Sequence, residues 1–358
     1  MRFLPLVFLL LAACAHESEP KSVPATETRR ETTLGPVVGA IAENGAHVWR
    51  AIPYASPPVG ALRWRAPQAA APWSDDRTAV AAGPRCPQLT SPLNRIKGKK
   101  PGALIGAEDC LTLDVYAPKD ALAQGALLPV MLWIHGGSNV WGGADQYDGA
   151  RLAANENVVV VVAQYRLGVL GYFSHPLLRN AAETEDDKAA NFGVLDLVAA
   201  LAFVRDNAAA FGGDPARVTI FGESAGGHNV ATLLAAPQAK RLFSRAIIQS
   251  GSFDSVPAAD AEGAKAATRD LPNTAHDVAS ALGAETAEAL RAAPVETLFK
   301  ALKLTPSGYL ELPTIIEDGV VAPREGLRAH VASGAPLNAA AVITGTNKDE
   351  IKLFQIAD

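Results

Sequence analysis

Phe211-Gly-Gly-Asp-Pro-Ala-Arg217, Val218-Thr-Ile-Phe221 and Gly222-Glu-Ser-Ala-Gly-Gly227 follow one another without a break. Gly212, Gly213, Asp214 and Pro215 are turn signals that cannot continue a helix. Val218 to Phe221 is a short β-rich apolar run suited to a buried strand. Gly222-Glu-Ser-Ala-Gly226 is a Gly-x-Ser-x-Gly pattern, and His228 to Ala235 after it reads as a helix. A strand, a sharp turn carrying serine and then a helix make up the context of a nucleophile elbow. The glycines are required because side chains beside the serine would clash in so tight a turn. Ser224 is expected above the sheet, with the amide of Ala225 at the helix start facing an incoming carbonyl oxygen.

A second motif lies upstream. Val130 to Ile134 is a continuous apolar run, and His135-Gly136-Gly137-Ser138 follows it directly. Small residues there let backbone amides approach a reacting carbon, so the loop fits the second half of an oxyanion hole. Val158 to Val162 and Ala246 to Gln249 are further candidate strands, and Ala340 to Ile343 is the last. Asn191 to Phe211 has helical spacing, with Leu195, Val198, Ala199, Ala202 and Phe203 on one face. Between Ala258 and Leu304 several helices are expected, broken at Pro272 and Pro294. Near the start, Thr33 to Arg50 reads as a β-hairpin turning at Glu43-Asn44-Gly45, and the proline-rich Ala51 to Trp73 as a structured surface loop. Buried strands alternating with helices give an α/β class with a mostly parallel central sheet flanked by helices. No dinucleotide fingerprint, P-loop or metal-ligand spacing occurs, so no cofactor and no metal is expected.

Composition sets the outer bounds. Of 358 residues, 49% are hydrophobic and 19% charged, enough for a large core. A net charge of −5 gives no footprint for nucleic acid. Residues 1–13 read as a signal peptide: Arg2, an apolar Phe3 to Leu11, then Leu11-Ala-Ala-Cys14. That tetrapeptide resembles the lipobox of bacterial lipoproteins, which makes Cys14 the acylated residue. A periplasmic or outer-membrane lipoprotein follows, held to the membrane through its lipid alone. Residues 14–30 read as a flexible tether and 31–358 as the catalytic domain. Cys86 and Cys110 remain; in an oxidising compartment they either pair or stay as buried thiols, and spacing does not decide between the two.

Taken together, the motifs carry a resemblance. Glu108-Asp-Cys-Leu111, Pro129 to Gly137, Tyr165 to Gly171, Asn191 to Asp196, Phe211 to Gly227, Gln249-Ser-Gly251 and Gly345 to Glu350 resemble the type B carboxylesterases, the group that includes the cholinesterases, within the α/β-hydrolase fold. The resemblance implies hydrolysis of a small-molecule carboxylic ester through an acyl-enzyme. It implies Ser224 as nucleophile, Glu350 as triad acid and oxyanion amides at Gly137, Ser138 and Ala225. It also implies a disulfide between Cys86 and Cys110.

Three departures from that pattern matter. Ser138 stands where the family has a third glycine, and its hydroxymethyl is expected to narrow the acyl pocket or reorient the oxyanion hole. No tryptophan lies between Cys86 and Cys110, so the cation–π site for choline is not implied. The order in this fold is serine, acid, histidine, yet all seven histidines precede Glu350 and only eight residues follow it. The expectation is a family member lacking its C-terminal part and its catalytic histidine, impaired as it stands. The alternatives are a non-catalytic binding protein on the same fold and a truncated gene remnant.

Overall fold

The computed structural model describes residues 23–94, 96–123 and 125–350. Cys14, the signal peptide and most of the expected tether lie outside the described residues. The rest of that tether does not behave as one, because the chain is folded from Ala25. Thr28 is fully buried, its hydroxyl donates to Ala25 O at 2.6 Å, and its carbonyl accepts from Trp49 Nε1 at 2.7 Å. A polar composition hid a segment that docks through backbone groups and one threonine.

Eight strands form the central sheet: β1 (Ala40–Ile41), β2 (His47–Pro53), β3 (Thr112–Ala117), β4 (Leu128–Ile134), β5 (Val159–Ala163), β6 (Gly213–Glu223), β7 (Arg245–Gln249) and β8 (Ala341–Gly345). Their spatial order is β8-β7-β6-β4-β5-β3-β2-β1. From β8 to β5 every neighbour is parallel; from β5 to β1 every neighbour is antiparallel. The expected hairpin is β1–β2, with Gly45 at φ 83° in its turn.

Alternation along the strands builds two cores, one per face. On one face Leu132, Ile134, Ile220 and Ile248 pack under α2 (Phe192–Asn207) and α3 (Ala225–Ala235). On the other, Tyr116, Val160 and Val162 pack against Ala150 and Ala153 of the short helix Ala150–Glu156. The expected face of α2 needs correcting. Leu195 and Phe203 are buried as expected, but Val198, Ala199 and Ala202 are only half-buried, whereas Val194, Leu197, Leu201 and Val204 are deep in the core. The helix is apolar on most of its circumference and packs on more than one side, so spacing alone could not choose its inner face. The proline-rich segment is likewise not a surface loop throughout: Trp64 is fully buried, with Nε1 donating to Val169 O at 2.7 Å.

β6 is longer than its apolar run. It starts at Gly213 and shifts register between Gly213 and Val218, so the Asp214-Pro215 turn signal becomes an irregularity within the strand. Between β7 and β8 come the expected helices, among them Ala275–Leu282, which carries a capping box on Thr274. A disulfide joins Cys86 and Cys110 with Cα atoms 5.1 Å apart.

Candidate active site

β6 ends at Glu223 and α3 begins at Ala225, leaving Ser224 alone in the turn at φ 55°, ψ −123°. L-residues rarely adopt that region, and they persist there only where the surroundings over-determine it. Here the backbone does so. Ser224 N donates to Gln249 O at 2.9 Å, and His228 N donates to Ser224 O at 3.0 Å. A Cβ on Gly226 would stand 2.0 Å from Ile134 O, and one on Gly222 would stand 2.5 Å from the Gly226 carbonyl carbon. Glycine at both positions is therefore forced by the close approach of β4, β6 and α3.

The His135 loop leaves β4 and crosses over this turn. A Cβ on Gly136 would lie 2.9 Å from Glu223 O and 3.2 Å from Ser224 Cβ. Gly137, Ser138 and Asn139 all have positive φ, at 103°, 55° and 58°. The resulting bend gives Gly137 O to the amides of Val140 and Trp141, each at 3.0 Å. The amides of Gly137, Ser138 and Ala225 donate to no protein acceptor among the described residues. Ser138, Ser224 and Ala225 line one cleft of about 570 Å³. Ser224 and the unsatisfied amides of Ser138 and Ala225 thus share a cleft that a carbonyl can enter, an arrangement compatible with acyl transfer.

Residues 26–358 match the family model described as the carboxylesterase family. The chain belongs to the carboxylesterase family. It is 40% identical over 374 residues to carboxylesterase 1D of Rattus norvegicus, covering 98% of this chain and 62% of that protein. It is 40% identical over 336 residues to the para-nitrobenzyl esterase of Bacillus subtilis (strain 168), covering 91% and 64%. A solved PNB esterase superposes with a TM-score of 0.76 at 37% identity, over 92% of this chain and 64% of that one. The fold is accordingly that of the α/β hydrolases, and the chain spans less than two thirds of these relatives' length.

In this carboxylesterase-family chain Glu350, the acid that the resemblance implies, does not itself line the cleft. Glu350 follows β8 in a turn, where its Oε2 accepts from Asn347 N at 2.7 Å and Thr346 Oγ1 at 3.1 Å. Those bonds, the Asn347 amide foremost and Ser250 next, hold its carboxyl below the ordinary value. Glu223 moves the other way: burial first, then the charge of Glu350, raise its carboxyl. Asp196 is fully buried in a two-bond pair with Arg166, at 2.8 and 2.7 Å.

Among the described residues no histidine ring bonds the Ser224 hydroxyl or the Glu350 carboxylate. His135 is buried against Tyr165, its Nδ1 on Gly136 O, and burial pushes its imidazole down to about 4. His330 pairs with Glu325 at 3.1 Å, and His228 reaches the Asp254 carbonyl. His47 lies beside Arg30, and His175 caps Leu177.

Several parts of the site were missed from sequence. Asn229 Nδ2 donates to Asn139 Oδ1 at 2.8 Å, and Tyr172 OH donates to Asn229 Oδ1 at 2.8 Å, so a buried amide pair ties the oxyanion loop to α3. The segment after Cys86 supplies Leu89, Thr90 and Leu93 to the cleft wall, and the segment from Leu304 to Leu312 supplies more of it. An asparagine at the expected third glycine's neighbour and another in the first turns of α3 were the available signal. No spacing pattern announces a wall built by distant loops.

Proposed function

We propose that this chain carries the acyl-transfer half of a serine carboxylic-ester hydrolase. Ser224 Oγ attacks the ester carbonyl. The oxyanion is held by the amides of Gly137, Ser138 and Ala225. The alcohol departs with a proton as the acyl–Ser224 bond is kept, and water then releases the acid and restores the serine. Glu350 serves as the acid that orients an imidazole base. The observation that carries this reading is the strained Ser224 backbone in one cleft with Ser138 and Ala225, whose amides, like that of the adjacent Gly137, have no protein acceptor among the described residues. The base is not among the described residues, so the 358-residue chain alone is expected to react slowly.

The apolar cleft wall, with Leu89, Leu93, Trp141, Leu304 and Leu310, favours small neutral esters over anionic ones. Ser138 is exposed to that cleft, which supports its role in restricting the acyl group. A binding protein on the same fold is the second reading, favoured only by the missing base. Acid-quenched reaction with 4-nitrophenyl acetate distinguishes the two by peptide mass mapping. Acetyl on Ser224, absent in Ser224→Ala, supports the hydrolase; no adduct on Ser224 refutes it. We also propose export as a lipoprotein through Cys14, supported by Leu11-Ala-Ala-Cys14. Normal processing in the presence of globomycin, which blocks the lipoprotein signal peptidase, would exclude it.

A further inference from the structure

His228 belongs to the first turns of α3, four residues after Ser224, and lines the same cleft. His228 N also donates to Ser224 O at 3.0 Å, so an ester bound at Ser224 shares the cleft with this ring. Its Nε2 bonds the Asp254 carbonyl oxygen. A carbonyl oxygen can only accept, so Nε2 carries the proton and a neutral ring has its lone pair on Nδ1. Asp254 is itself fixed, since its carboxylate accepts from Ser252 Oγ at 2.5 Å and from Arg328 at 2.6 Å. The tautomer is therefore built into the fold. Burial lowers the imidazole's basicity and keeps the ring neutral. Nδ1 has no protein partner and is not among the buried unsatisfied atoms of the described residues. On a residue that lines the cleft, such an atom is open to whatever the cleft holds.

We propose that His228 is a specificity-determining residue, whose Nδ1 accepts a hydrogen bond from a hydroxyl or N–H close to the scissile carbonyl of the substrate. The favoured substrates are then esters carrying such a donor, such as hydroxy-acid esters, over plain alkanoates. The proposal deepens the esterase reading and rests on it only in taking this cleft as the place where the ester binds.

Neutral ketones test it without needing turnover. The Kd of 1-phenylbutan-1-one and of its 2-hydroxy derivative is measured by ligand-observed NMR on the intact chain, and on His228→Phe and His228→Gln. One added hydrogen bond is expected to favour the hydroxyketone about five-fold. The preference should vanish in His228→Phe and persist in His228→Gln, which keeps an acceptor. Equal affinities in the unsubstituted chain, a preference that survives His228→Phe, or no binding of either ketone at millimolar concentration would each overturn the proposal. Acylation of Ser224 is read separately, so a selective but unreactive cleft would count against the hydrolase reading and leave this one standing.

Discussion

Ser224 and Glu350 follow strands of the same sheet, β6 and β8, with only β7 between them, yet they are held in opposite ways. Around Ser224 the backbone is closed on every side: Gly222, Gly226 and Gly227 each have backbone atoms about where a Cβ would go, at 2.5, 2.0 and 3.1 Å. Around Glu350 it is open. Every residue of β8 is exposed, Ile343 at 65%, and a Cβ on Gly345 would meet nothing within 4 Å. The geometry of Ser224 is fixed by main-chain packing from β4, β7 and α3. The geometry of Glu350 rests on a local turn and on one strand neighbour of β8. The first is a property of the whole fold; the second can change without disturbing it.

The sharpest way to break this contrast is Gly226→Ala. The new methyl would run into Ile134 O, and a loss of about 4 kcal/mol is expected, in the range reached only by overpacked or strained sites. Urea unfolding measures it, and a loss under about 1 kcal/mol would show the elbow to be looser than argued. Next in size, Cys86→Ser should cost about 3 kcal/mol, because the bridge closes a loop with a sequence separation of 24. That loop carries Leu89 and Leu93 of the cleft wall, so ligand affinity should fall as well.

Glu350→Gln has a smaller effect that reports on an electrostatic link between the regions. Glu223 is raised by burial and by the Glu350 charge; removing that charge should bring its carboxyl part of the way down, read by 13C NMR titration. The signs in the unsubstituted chain are opposed. The Glu350 bonds stabilise the fold above the ordinary carboxyl range, and this is lost as pH falls through its lowered value. The burial of charged Glu223 opposes folding, and this opposition is relieved as pH falls through its raised value. An unchanged Glu223 titration in Glu350→Gln would mean that the two carboxylates do not interact. Smallest of all, Gly345→Ala should shift unfolding by no more than about 0.5 kcal/mol, which differential scanning calorimetry can compare with Gly226→Ala.

The same contrast explains what sequence could reveal. Gly222-Glu-Ser-Ala-Gly226 was readable because a strained turn between strand and helix excludes nearly everything but glycine beside the serine. The apolar runs of β4 and β5 were readable because both faces of those strands pack against a core, and that of β7 because Ala246 and Ile248 are buried in one. The start of α3 was read three residues late, since Ala225-Gly-Gly227 has little helix propensity of its own. Tertiary contacts from Gln249 and Ile134 form that first turn. Thr28 docks on Trp49, and Asn229 on Asn139, through single long-range hydrogen bonds, which leave no local periodicity. His228 gave no signal, because what distinguishes it is an Asp254 carbonyl twenty-six residues away.

Fluorophosphonate labelling bears most directly on the central claim, that folding alone prepares Ser224 while the base is absent from the described residues. Intact-mass and peptide mapping on the 358-residue chain should show slow phosphonylation confined to Ser224. The rate should be the same in His330→Ala, because that ring is engaged with Glu325. Rapid labelling that disappears in His330→Ala, or labelling that persists in Ser224→Ala, would contradict it.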